Sequence, residues 1–146
     1  MDSERLEIEL NVLQRFLHPS WITYENGARG EWLYLYAPKG RGNDFTLHID
    51  LSRFPYAPPP VFIDRILYDR HGNPLDKPDH FCHTLESERG RTRICYYRPT
   101  AWQTDESLWM VYTLGSLWLQ AYVKWVSSGR LTIDEWIERI RKGQEV

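Results

Sequence analysis

Cysteine is scarce in this chain: Cys82 and Cys95 are its two thiols among 146 residues. Two thiols close at most one bridge, so the fold is not held by a disulfide framework, and in a reducing compartment both are expected to be free. Metal ligands at tight spacing are lacking too. The densest group, His80-Phe81-Cys82-His83, puts three donors on neighbouring positions that do not readily face one ion, so neither a metal nor another cofactor is expected. No apolar run is long enough to span a bilayer, and the opening Met1-Asp2-Ser3-Glu4 is acidic and carries no signal-peptide core. The expectation is a cytoplasmic protein with no membrane partner. A strong charge excess is also missing: a net charge of −2 supplies no global attraction to nucleic acid. There is no internal repeat, linker or composition break, so residues 1–146 are read as a single domain, large enough for a proper core.

What the chain has in quantity is rings. Seven Trp and nine Tyr, within a composition that is 42% hydrophobic and 26% charged, imply a core or groove built from aromatic side chains whose N–H and O–H groups need partners. From Ser3 to Leu17 the apolar residues Leu6, Leu10, Leu13 and Leu17 recur at helical spacing, with Asp2 or Ser3 as cap and Pro19 as stop. Three strand patterns follow, at Trp21 to Tyr24, Glu31 to Ala37 and Asp44 to Leu51. The second puts Trp32, Tyr34 and Tyr36 on one face and Leu33 and Leu35 on the other. Short glycine-rich connections make them an antiparallel meander. The proline-rich Phe54-Pro55-Tyr56-Ala57-Pro58-Pro59-Pro60 cannot join a ladder and is read as a stiff bend rather than a ligand for an aromatic groove. A fourth strand resumes at Val61-Phe62-Ile63. Asp64 to Arg93 is polar, full of turn signals, and read as one long functional loop. A helix then runs from Asp105 to Val126, capped by Thr104 or Asp105. A last helix opens on the capping box Thr132-Ile133-Asp134-Glu135.

The long loop delivers the chain to Arg91-Thr-Arg-Ile-Cys95-Tyr-Tyr-Arg-Pro-Thr-Ala-Trp102. A cysteine before a proline-containing loop is open to a large partner, and thiolate is the strongest side-chain nucleophile near neutral pH. Arg91, Arg93 and Arg98 are close enough in sequence to favour that thiolate. The bland alternative is an inert, buried cysteine. Cys82, between two histidines, is the rival nucleophile.

The order of these segments resembles the ubiquitin-conjugating enzyme family. Phe54-Pro55-Tyr56-Ala57-Pro58-Pro59-Pro60-Val61 is similar to that family's Tyr-Pro-x-x-Pro-Pro bend, and Arg93-Ile94-Cys95 to its x-Ile-Cys segment. Trp102 stands near the family's Trp after the cysteine, and Leu108 onward resembles the helix that follows. The family's His-Pro-Asn ahead of the cysteine has no counterpart. The nearest histidines are His83 and His80, twelve and fifteen residues upstream of Cys95. Such departures resemble the divergent bacterial branch found in antiphage operons.

The resemblance implies an α+β, UBC-like fold: an N-terminal helix, a four-stranded antiparallel meander, the Pro-rich bend, an active-site loop and C-terminal helices. It implies a transferase in which Cys95 takes the C-terminal acyl group of a protein from an activating enzyme and passes it to an amine on a protein acceptor. In that branch the protein carried is a ubiquitin-like modifier or a nucleotidyltransferase of the cGAS type, and the setting is antiviral defence. His83 is the expected base or oxyanion support, with Thr100 as a donor, Arg93 and Arg98 beside the thiolate, and Asp105 orienting the amine. A catalytically silent binding module of the same fold is the alternative. A papain-like hydrolase stands further off, because its cysteine opens a helix.

Overall fold

A computed structural model describes residues 1–96 and 101–143. Helix α1 (Ser3–Phe16) begins where the Asp2 carboxylate accepts the Glu4 N–H at 2.9 Å, and stops at extended Leu17, two residues before Pro19. After a single 3₁₀ turn, Pro19–Trp21, the chain forms β1 (Ile22–Gly27), β2 (Gly30–Pro38), β3 (Asp44–Asp50) and β4 (Val61–Ile63), each antiparallel to the last.

The sheet does not end there, and this corrects the expectation of four strands and an irregular loop. Thr84–Glu88 forms β5 and Arg91–Ile94 forms β6, and the sheet order is β1-β2-β3-β4-β6-β5. Arg89 and Gly90 make the two-residue turn between them, both at positive φ (53° and 71°), which the right-handed twist of a hairpin favours. The pattern hid because β5 is a charged edge strand with a register shift between Leu85 and Glu88, so its alternation is broken. Its pairing partner β6 is central, hydrogen-bonded to β4 on its other side.

Helix α2 (Leu108–Ser128) crosses one face of the sheet. It starts three residues later than expected, because Ser107 rather than Thr104 or Asp105 accepts the Met110 N–H, and because the buried Glu9 carboxylate of α1 takes the Leu108 N–H at 2.8 Å. Arg5 binds the other Glu9 oxygen at 2.8 Å and the carbonyls of Thr104 and Glu106 at 2.9 Å, tying α1 to the entry of α2. Beneath α2 lie Leu33, Leu35, Leu47, Ile49, Val61, Ile63 and Ile94, each almost fully buried and contributing about 1.5–3 kcal/mol. Gly115 lets the helix sit this close: a Cβ there would stand 3.1 Å from Leu47 Cδ1.

The chain leaves α2 through Gly129 at φ 66° and enters α3 (Ile133–Arg141) with the expected capping box between Thr132 and Glu135. Arg70 braces the connection. It lies 4.9 Å over the Trp125 ring and donates to the carbonyls of Trp125, Arg130 and Leu131. Ile133 and Trp136 are buried to 1% exposure, so α3 is seated rather than appended. Among the described residues no helix is long and apolar enough to cross a membrane.

Candidate active site

The loop before β5 is a tied turn. Asp79 Oδ1 accepts the N–H groups of Phe81 and Cys82 at 2.7 and 3.1 Å, and the backbones of Asp79 and Thr84 bond each other in both directions. Thr84 Oγ1 donates to the Lys77 carbonyl at 3.0 Å, and the buried Trp118 indole donates to the Cys82 carbonyl at 2.8 Å. His83, the next residue, is held at φ 55°, a left-handed conformation that costs a non-glycine residue about 1–2 kcal/mol. Its carbonyl accepts the Cys95 N–H at 2.7 Å where β6 ends. The two residues that the sequence singled out are therefore tied backbone to backbone.

His83 and Cys95 line one open cleft of about 530 Å³. Leu114, Leu117 and Trp118 of α2 form its apolar wall, and α3 closes the other side with Asp134, Ile137, Glu138 and Arg141. Across it the His83 Nε2 lies 2.6 Å from Asp134 Oδ1, an N–H to carboxylate hydrogen bond between groups 51 positions apart. Cys95 is half-buried, and Tyr96 beside it donates its hydroxyl to the Pro59 carbonyl at 2.6 Å. Trp102 donates to the Pro55 carbonyl at 2.7 Å and packs edge-on against Phe54. Both ends of the segment after the cysteine are thus docked on the Pro-rich bend.

The rival thiol sits elsewhere. Cys82 is 5% exposed in the core, and burial, reinforced by the charges of Asp79 and Asp69, pushes it up to about 11. It is a small apolar side chain in its surroundings. The neighbouring His80 is exposed and does not line the cleft. Among the described residues no three His, Cys, Asp or Glu side chains are grouped as metal ligands.

The auxiliary residues fall apart spatially. Arg93 lies 5.8 Å over the Phe62 ring on the sheet face away from the helices, and Arg91 lies over Trp32 and Phe62 on that same face. Neither lines the cleft with Cys95. Asp105 is exposed in the turn before α2. Arg98 and Thr100 lie outside the described residues.

Asp134 was missed as a site residue, although its sequence signal was plain as part of a helix cap. Nothing local marks which face of α3 turns toward His83. What the cleft brings together is a thiol, an imidazole and a carboxylate, the residue types from which thiol activation is built when base and nucleophile come within hydrogen-bond reach. No family model matches the chain, and neither the curated proteins nor the solved structures give a significant match.

Proposed function

We propose that this protein is a ubiquitin-conjugating-like acyl transferase in which Cys95 carries the C-terminus of another protein as a thioester. The carrying observation is the shared cleft: a partly exposed thiol at the end of β6 with an aspartate-paired histidine beside it. The element order supports the same reading, since an N-terminal helix, an antiparallel meander with a proline-rich bend before its fourth strand, and a cysteine ahead of a long helix are what the resemblance calls for.

In the first half-reaction the Cys95 thiolate attacks the thioester carbonyl on an activating enzyme. A new S–C bond forms and the activating enzyme's thiolate departs, taking up the proton that Cys95 gave to His83, so the imidazole is neutral again. Thioester replaces thioester, so the step needs a thiolate and little driving force. In the second, an amine of the acceptor attacks the carrier thioester, Cys95 leaves as thiolate, and the amine proton passes to His83. The apolar wall from α2 gives an extended protein tail a surface to lie on. Bacterial antiphage defence is the setting that the divergent motif pattern suggests, with a ubiquitin-like modifier or a cGAS-type nucleotidyltransferase as the protein carried.

The test is to incubate the protein with a cognate modifier, activating enzyme and ATP and resolve the products on a non-reducing gel. A thiol-sensitive adduct is expected that is lost in Cys95→Ala and kept in Cys82→Ala. An adduct that survives Cys95→Ala overturns the assignment.

A further inference from the structure

The geometry points to Asp134 as the positioning residue of the site: it holds the His83 ring so that the imidazole takes the Cys95 proton, making thiol, imidazole and carboxylate one coupled unit. The inference concerns the same cleft as the proposed transfer reaction and rests on that reading for its purpose, but not for its test.

Three observations carry it. The His83 ring is anchored through Nε2 at 2.6 Å, which leaves Nδ1 as the nitrogen not committed to Asp134. The backbone of His83 is locked in a left-handed conformation and bonded to the Cys95 N–H, so ring and thiol are set by one short stretch of structure. Asp134 is itself held, at the second residue of a helix whose cap, buried Trp136 and Arg70-braced connection fix its register. In the step, the S–H bond breaks, an N–H bond forms on the imidazole, and the positive ring is stabilised by the carboxylate. No other species is needed.

The charges facing His83 are few. From α3 come Asp134, Glu138 and Arg141, from the chain just past β6 the titratable Cys95 and Tyr96, and α2 contributes only apolar side chains among the described residues. Glu138, one turn beyond Asp134, is therefore the matched control: an equal charge on the same helix without the hydrogen bond.

The experiment follows iodoacetamide alkylation of Cys95 against pH, peptide by peptide, by mass spectrometry in the intact protein, with circular dichroism confirming the fold of each variant. It requires no modifier or activating enzyme, so its failure and that of the transfer reading are separable. His83→Gln is expected to slow alkylation of Cys95 at pH 7 by about tenfold. Asp134→Asn is expected to slow it by about two- to threefold, a modest effect because the aspartate is two-thirds exposed. Glu138→Gln is expected to slow it clearly less. In a His83→Gln background Asp134→Asn should add nothing. A further slowing in that background, or an equal effect of Glu138→Gln, overturns the inference, since the carboxylate would then act as a general surface charge. An unchanged profile in Asp134→Asn overturns it too.

Discussion

The two faces of the sheet each hold a histidine, and the partners are opposite in sign. On the helix-covered face His83 turns its ring to the Asp134 carboxylate at 2.6 Å. On the open face His48 accepts at Nδ1 a hydrogen bond from the Arg91 guanidinium at 3.1 Å. Arginine donates only, so that nitrogen must carry no proton and the ring is neutral. Burial first and Arg91 second press the His48 pKa down. It lines an open pocket with Trp32, Tyr34 and Arg91, the Tyr34 ring edge-on to it at 4.7 Å and the Arg91 guanidinium 4.7 and 4.6 Å above the Trp32 and Phe62 rings. The lesson is that a histidine's chemistry follows its partner. Both rings line an open pocket, but His83 faces a carboxylate and His48 a cation.

The contrast between open cleft and buried core sharpens first at the cysteines. In the native protein at pH 8 Cys95 is expected to alkylate at least about a hundredfold faster than Cys82, because the latter is buried and remains a thiol. Unfolding in urea should erase the difference. Comparable native rates would break the comparison, since the wall between cleft and core would not exist.

Trp118 is that wall, and its indole N–H is the next test. Trp118→Phe keeps a ring but orphans the Cys82 carbonyl, which is expected to cost about 1–3 kcal/mol. A lower urea midpoint at unchanged slope is the readout. Faster native labelling of Cys82 should accompany it, and an unaltered midpoint would count against the bond.

The smallest effect is expected at His48. Its folded pKa lies below the unfolded value of about 6.5, so the unfolded chain binds the proton more readily. The stability it contributes is present above about pH 6.5 and is lost as pH falls toward the depressed folded value. Thermal melts at pH 7.5 and pH 5 should therefore differ less in His48→Gln than in the wild type. An equal or larger difference would remove His48 from the acid response and weaken the contrast with His83.

Local physics was readable along much of the chain. The period of Leu6, Leu10, Leu13 and Leu17, the alternation of Trp32 to Tyr36 and the Thr132–Glu135 cap each depend on residues a few positions apart, and each appears in the fold near its expected place. The β5–β6 hairpin was not read. Its polar edge strand has one solvated side and a bulge, which leaves no hydrophobic period, and only the Arg89-Gly90 turn spoke for it. The start of α2 shifted for a related reason: the decisive cap includes Glu9, about a hundred residues earlier in the chain.

The sequence by itself determined α1, the first four strands, α2 and α3, because propensity, periodicity and capping are short-range, and the resemblance it carries marked Cys95 and His83 as residues worth pairing. Tertiary structure alone decided that Cys82 is shut in the core, that Arg93 faces away from the cleft, and that Asp134 reaches His83. Those outcomes depend on how α2 and α3 settle on the sheet, and the side chains they bring together are too far apart in the chain for any local pattern to record.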